Sequence, residues 1–424
     1  MNILLIGSGG REHALAQSLV SSKTCSKLFA APGNPGIWAI AEKAIIDISN
    51  YKEMHDFCQK NDIKFMVVDL EQPLADGITD VMSGIGYVVF GPSKFCSQLE
   101  SSKDFAKNVM LKAKIPTAAF QSFNRNQISE AHQYVESSLL PIVIKADGLA
   151  AGKGVIIAQT YDEAHHSIDE IFGGIFGDAG NKIVIEEFMS GEEASIFVVT
   201  DGIDYLILPP AQDHKRISDN DEGKNTGGMG AFAPAGIVNN EVMLKVENLI
   251  IRPLLNYFNS VDFPYRGLLY IGLMIKDNNP KVVEFNVRFG DPETQAVLPL
   301  IEGDVAKLFY TAATGKIDKN VVSIVHKKTV CIVLASKGYP DSFVKGYEIK
   351  IPENFANNDF LYHAGTKLSE DSVLITNGGR VLSAVSMSDT LQGAINSAYN
   401  LADLVEFQNK YCRKDIGKKG LKYE

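Results

Sequence analysis

Short apolar runs alternating with amphipathic stretches fill the chain from Met1 to about position 100. NILLIG, KLFAAPG, AIIDI, FMVVDL and YVVFGP read as strands with helices between them, the alternation of a parallel sheet built from βαβ units. A longer amphipathic pattern, GPSKFCSQLESSKDFAKNVMLKAKIPT, predicts a helix that stops at Ile115-Pro116, where the proline ring forbids another turn. Strands and helices then mix less regularly. IVIKAD, GVIIA, KIVIEEFM, ASIFVVTDG, LLYIGLMI and KVVEFNVRF predict antiparallel strands with helices at the sheet edges. From His326 onward TVCIVLA is a strand, ITNGGRVLSAV carries a hairpin signal, and a helix is expected from Thr390 to Leu404. The pattern predicts an α/β and α+β multidomain protein: a Rossmann-like parallel sheet at 1–100, a central α+β unit at 101–325 and a small β-rich unit at 326–424.

With 424 residues, 45% hydrophobic and 22% charged, the chain has the make-up of a globular protein with several cores. A formal net charge of -10 argues against nucleic acid or an anionic membrane as partner, although an acidic protein can still hold a basic pocket for a small phosphate ligand. The cysteines Cys25, Cys58, Cys96, Cys331 and Cys412 are widely spaced and form no CxxC, which reads as reduced thiols in a cytoplasmic protein. MNILLIG enters a strand directly, and no apolar run reaches the roughly 18 residues of a membrane span.

Four segments carry chemistry. IKADGLAAGKGV has the composition of a phosphate cradle. However, Gly148 and Gly152 enclose only three residues and Lys153 precedes Gly154, so it is not the Walker pattern. IGSGGREHAL supplies G-x-G at Gly7 and Gly9, with Glu12 in the third glycine position and no acidic residue closing the second strand, so a nicotinamide dinucleotide is not expected. The helix start at Gly9-Gly10-Arg11 offers amides to a phosphate of another ligand; a tight turn that binds nothing is the plain alternative. In KVVEFNVRFGDPE, strand alternation puts Glu284, Asn286 and Arg288 on one face and Val283, Phe285, Val287 and Phe289 on the other. A carboxylate beside an amide oxygen suits Mg²⁺ or Mn²⁺, and Arg288 is placed to meet the same phosphoryl group. A solvated, ion-paired face is the plain alternative, opposed by the strict alternation and the Gly-Asp-Pro-Glu turn that follows. QDHKRISDNDEGKNTGGMGAFAPA sets Asp213, His214 and Lys215 before Gly227-Gly228-Met229-Gly230, whose amides can approach a small carboxylate or phosphate; alone it also reads as a surface loop.

In order along the chain, GSGGREHAL, APGNPG, GPSK, IPTA, IVIKADGLAAGKGV, IEEFMSGEEAS, QDHKR, NTGGMGAFAPA, EFNVRFGDPETQ, HAGTK, TNGGRV and CRKDIG resemble the motifs of the phosphoribosylamine–glycine ligase (glycinamide ribonucleotide synthetase) family of the ATP-grasp superfamily. The resemblance implies a central two-part ATP-grasp fold with ATP between two subdomains. Lys103 and Lys145 would contact the ATP phosphates under a flap containing Gly148, Gly152 and Gly154; Glu186 and the backbone at Phe188 and Met189 would read adenine, and Glu193 the ribose. Glu284 and Asn286 would hold divalent ions, Arg288 would offset phosphoryl charge, and Asp213, Lys215 and Asp291 would orient glycine and the amine. Gly9, Gly10 and Glu71 would border the phosphoribosyl group, with Gly228 and Gly230 in the substrate loop. The implied reaction is a carbon–nitrogen ligation in de novo purine (IMP) synthesis. ATP phosphorylates glycine to glycyl phosphate, 5-phosphoribosylamine attacks it, and glycinamide ribonucleotide, ADP and phosphate result. A cytoplasmic monomer without nucleic-acid or membrane partners is expected.

Two positions depart from the family pattern. Asp69-Leu70 replaces the usual Gly-Pro before Glu71, and the aspartate is expected to weaken ribosylamine binding by adding negative charge beside its phosphate. Ala211 replaces a serine. The competing readings are an ATP-grasp ligase for another amino acid or amine, a non-catalytic ATP-binding regulatory protein, and a nicotinamide dehydrogenase. Little room for a side chain in the glycine loop disfavours the first, and intact Glu284, Asn286, Arg288 and Lys145 disfavour the second.

Overall fold

The computed structural model describes residues 1–149 and 154–424. Five parallel strands, β1 (Asn2–Gly7), β2 (Lys27–Pro32), β3 (Glu42–Lys43), β4 (Ile63–Val68) and β5 (Val88–Phe90), form the first sheet in the order β3-β2-β1-β4-β5. Winding reverses between β1 and β4, and the carboxyl ends of strands at such a point are where α/β sheets bind ligands. Ile3, Leu4, Leu5 and Ile6 are all fully buried because both faces of β1 are covered, which is why it reads as a continuous apolar run. The third expected strand, AIIDI, is not one. Among the described residues edge strand β3 pairs only with β2, and it stops at Lys43, leaving Ile45 81% exposed. The long amphipathic pattern is two helices, Lys94–Ser101 and α1 (Lys103–Lys112), broken at Ser102, whose backbone is extended and whose hydroxyl accepts from the Phe105 N–H to cap α1.

Two antiparallel sheets follow. Strands β6 (Phe120–Asn124), β7 (Ile142–Ala146), β8 (Val155–Ala158) and β9 (Lys182–Glu187) pair in the order β6-β9-β7-β8. Strands β10 (Glu192–Thr200), β11 (Tyr205–Ile207), β12 (Gly267–Lys276) and β13 (Asn279–Asn286) pair in the order β11-β10-β12-β13. The link between β9 and β10 carries Phe188 and Met189. On β13 a bulge intervenes: Leu273 pairs with Val282 and Gly272 with Glu284, so Val283 has no partner. Val282 is therefore the buried residue, and Val283, expected on the core face, lies half-buried beside Glu284. The ladder also ends at Asn286, so Arg288 stands beyond it.

The last sheet is built on β14 (Lys328–Ser336), β15 (Asp359–His363) and β16 (Arg380–Ser388), and it takes in the short strands Gln212–Asp213 and Gly230–Ala233 that flank the glycine loop. The helix expected from Thr390 to Leu404 runs Leu391–Leu404, with Thr390 as its cap. The Asn377-Gly378-Gly379 signal makes no hairpin. Leu374–Thr376 pairs with Thr366–Leu368, whereas β16 pairs with β14 and β15, so the turn hands the chain from one sheet to another. All five cysteines are free, and among the described residues no helix is long and apolar enough to cross a membrane.

Candidate active site

The bulge on β13 turns Glu284 into a narrow cleft lined also by Val283, Tyr270, Ser195, Lys215 and Glu193. Burial works against ionising Glu284, and Lys215, Lys145, Lys103 and Arg288 outweigh it, so its carboxyl is held below the usual range. An ionised carboxylate two residues from the Asn286 amide is a hard donor set that fits a divalent ion. Among the described residues no three His, Cys, Asp or Glu side chains gather as ligands, so most of the shell would fall to phosphate oxygens and water, as Mg²⁺ prefers. Arg288 is anchored by the protein itself: Nη2 lies 2.9 Å from Glu100 Oε1, Nε 3.7 Å from Glu71 Oε2, and Nη1 donates to the Phe289 carbonyl at 2.9 Å. Burial likewise opposes the ionisation of Glu71, and Arg288 and Arg11 hold its carboxyl low.

The first glycine turn meets this strand end. The Gly9 N–H, offered by the sequence as an anion donor, already donates to Glu12 Oε2 at 2.5 Å, which leaves the amides of Gly10 and Arg11 at the helix start. A Cβ on Gly9 would lie 3.8 Å from Asp291 Oδ2, and one on Gly10 2.9 Å from Gln295 Nε2, so the turn borders Asp291. The glycine loop arrives from the other side. Gly228, at φ +105°, lies flat against Pro292, where any side chain would collide. Arg380 fastens the glycine loop to Asp291: Nη1 donates to the carbonyls of Gly227 at 2.5 Å and Asp291 at 2.9 Å, and Nη2 pairs with Asp291 Oδ2 at 2.9 Å. Sequence reading missed Arg380, although it stands in TNGGRV. Gly230 sits inside the sheet opposite Ile332 and its carbonyl accepts from the His214 N–H, a packing position. His214 is buried against Phe232 and kept neutral by burial.

Around the expected nucleotide position, Lys103 Nζ donates to the Gly148 carbonyl at 3.0 Å, and Gly148 is at φ +139°. Glu186 is buried between two lysines, with Lys145 Nζ 2.9 Å from Oε1 and Lys107 Nζ 2.8 Å from Oε2. Lys107 was also missed; its spacing of four from Lys103 on an amphipathic helix was the available signal. Burial, countered by Glu186, pulls the Lys107 ammonium down to about 8. Phe188 is 42% exposed on the link between the sheets, with Met189 half-buried beside it. Glu193 forms an ion pair with Lys215. Asp213 is buried, which raises its carboxyl to about 7 against the pull of Lys215, and its carbonyl accepts from Lys419 Nζ at 2.5 Å. Gly154 is a buried bend whose carbonyl accepts from the Ala146 N–H, whereas Gly152 and Lys153 lie outside the described residues. Beneath the cleft, Ser195 Oγ, Tyr270 Oη and Glu293 Oε1 lie within 2.8–3.1 Å of one another, a buried network that the spacing of the motifs did not suggest.

Family models match the chain in three consecutive parts: phosphoribosylglycinamide synthetase N domain at residues 1–100, ATP-grasp (A) domain at 101–294 and C domain at 329–419. The chain belongs to the phosphoribosylglycinamide synthetase family. It is 44% identical to the phosphoribosylamine–glycine ligase of Leptospira interrogans serovar copenhageni over 99% of both chains, and 43% identical to that of Mesorhizobium japonicum over 98% of both. The crystal structure of phosphoribosylamine–glycine ligase from Thermotoga maritima superposes with a TM-score of 0.86 at 33% identity, covering 98% of this chain and 100% of that one. Biotin carboxylase from Campylobacter jejuni shares the fold, with a TM-score of 0.74 at 12% identity over 99% of this chain and 93% of that one. As a synthetase of this family, the chain treats its two departures quietly. Asp69 is buried with Oδ2 2.7 Å from Arg11 Nε and Oδ1 accepting from the Phe289 N–H at 2.8 Å, so its charge is taken up inside the protein and the expected repulsion of a phosphate loses its premise. Ala211 is fully buried and exchanges backbone hydrogen bonds with Ser195.

Proposed function

We propose that this synthetase-family chain is a carbon–nitrogen ligase that joins glycine to 5-phosphoribosylamine at the cost of ATP, with Mg²⁺ or Mn²⁺ held at Glu284 and Asn286. The observation that carries the reading is the meeting of the Gly9-Gly10 turn and the Gly227-Gly228 loop at Asp291, in the segment that follows β13 and also carries Arg288. A carboxylate does not accept an amine directly, because oxide would have to leave. The glycine carboxylate oxygen takes the γ-phosphoryl group as its bond to ADP breaks. The ribosylamine nitrogen then attacks the carbonyl carbon, the C–N bond forms, the C–O bond to phosphate breaks, phosphate departs with the electron pair, and the nitrogen gives up one proton, which the departing phosphate can take.

Each residue's part follows from its surroundings. Lys103 and Lys145 neutralise the nucleotide phosphates, and Arg288, locked by Glu100 and Glu71, meets the transferring group without reorganising. Lys215 is the cation nearest the Glu284 cleft and takes the glycine carboxylate; Asp213 and Asp291 orient the amine. A bound divalent ion would supply charge neutralisation at the phosphoryl oxygens. Phe188, Met189 and Glu193 face the nucleoside, whereas Glu186, buried between Lys107 and Lys145, holds Lys145 in place instead of reading adenine, and Gly10 with Glu71 borders the ribose phosphate. No enzyme nucleophile is required, so positioning and electrostatics carry the rate. The free cysteines suit the reducing cytoplasm.

The test is ADP release from ATP, Mg²⁺ and glycine, with and without freshly made phosphoribosylamine. ADP that forms only with both substrates supports the reading; ADP formed with a different amino acid or amine, or none at all, defeats it.

A further inference from the structure

Strand β13 ends at Asn286, yet the amides beyond it are not left to water. The Val287 N–H donates to Glu100 Oε2 and the Phe289 N–H to Asp69 Oδ1, each at 2.8 Å, so two buried carboxylates stand where a neighbouring strand would otherwise pair. The Phe289 carbonyl is held too, by Arg11 Nη1 at 2.8 Å. Arg11 is in turn bound to Asp69 twice, through Nε to Oδ2 at 2.7 Å and through Nη2 to the Asp69 carbonyl at 2.5 Å. Both backbone groups of Phe289 are therefore gripped by one ion pair that belongs to the N-terminal sheet. Asp69 is 2% and Arg11 7% exposed, so neither faces solvent or an open site. Phe289 directly follows Arg288 and precedes Asp291 by two residues.

We propose that Asp69, acting through Arg11 and Phe289, is a positioning residue for the ligase reaction: it sets where Arg288 and Asp291 stand without touching substrate. The inference rests on the ligase reading above. It follows from the cost of alternatives: without a carboxylate at the end of β4 the buried Phe289 N–H has lost its acceptor, and Arg11, still paired with Glu12 Oε1 at 2.8 Å, is no longer tied to the strand that the amide belongs to. The segment would then relax, and displacement of a catalytic group by about 1 Å can cost on the order of 10²-fold in rate.

The experiment is steady-state ADP release by the full chain with ATP, Mg²⁺ and glycine saturating and phosphoribosylamine varied. Wild-type turnover in this assay tests the ligase reading itself; the variants test the positioning. For Asp69→Ala, kcat is expected to fall ~10–100-fold with the KM for phosphoribosylamine within about 3-fold of wild type. Asp69→Asn, which keeps an acceptor for the Phe289 N–H but not the charge for Arg11, is expected to recover part of that loss. A lowered KM with kcat unchanged would show instead that the carboxylate opposes the substrate phosphate and would overturn the proposal. If Asp69→Ala does not fold, Asp69→Asn decides: a folded variant with wild-type kcat overturns the proposal, and a reduced kcat at unchanged KM upholds it.

Discussion

Exchanging Glu186 for Gln removes one negative charge from between two ammonium groups while keeping the side chain's shape. The side chains of Lys107, Lys145 and Glu186 are 3%, 7% and 2% exposed, so water does little to screen the change. Breaking a buried ion pair by deleting one partner costs about 3–5 kcal/mol. Lys107 has a partial escape. Burial, against the pull of Glu186, already holds it at about 8, and without that carboxylate it sheds its proton at lower pH still. A lysine whose folded value lies below its unfolded one makes the folded state bind fewer protons, so stability rises with pH between the two. In Glu186→Gln that rise starts earlier than in wild type. The stability deficit is therefore largest in mild acid and narrows by up to ~1.4 kcal/mol per pH unit as pH approaches about 8. What persists above that is the loss of the Lys145 pair. Thermal unfolding checks this: a melting temperature lower by on the order of 10 °C at pH 6, shrinking to roughly half at pH 8.5, is expected. A deficit that is constant or grows with pH would refute the reasoning, because Lys107 would then not be the group that titrates.

Other consequences follow from the same geometry. Glu284→Ala is expected to lower ADP release at least ~10²-fold with saturating substrates, measured alongside nucleotide binding to separate chemistry from affinity; near-normal turnover would remove Glu284 from the site. Arg380→Ala frees the Gly227-Gly228 loop from Asp291 and should raise the KM for glycine about 10-fold while leaving nucleotide affinity unchanged, read by ADP release and by calorimetric titration with a non-hydrolysable ATP analogue. Arg413 is fully buried, hydrogen-bonded to Asp415 at 2.8 and 2.6 Å, to Asp221 at 2.8 Å and to the Arg216 carbonyl at 3.0 Å. Arg413→Ala should cost about 3–5 kcal/mol, seen as a lowered unfolding temperature; a change below ~1 kcal/mol would mean that water replaces the guanidinium.

Much of this protein was legible in its residues taken one after another. The parallel first sheet, most strand positions and the helix ending at Leu404 follow from local rules: periodicity and turn residues act within a few positions. What failed depended on neighbours distant in the chain. AIIDI lost its strand because an edge offers one partner instead of two, and Val283 left the core because a bulge set by the facing strand shifted the alternation. The Asn-Gly-Gly turn joined two sheets instead of one hairpin, since strand choice is decided by which edges are open. Charge was the least legible of all. Lys107 became a partner of Glu186, Arg380 a clasp on Asp291, and Asp69 a brace for Phe289 only when folding brought segments together and excluded water. An ionisable side chain's sequence position sets what it can do, but the low-dielectric surroundings that make the interaction strong, and the partner that satisfies it, exist only in the tertiary structure.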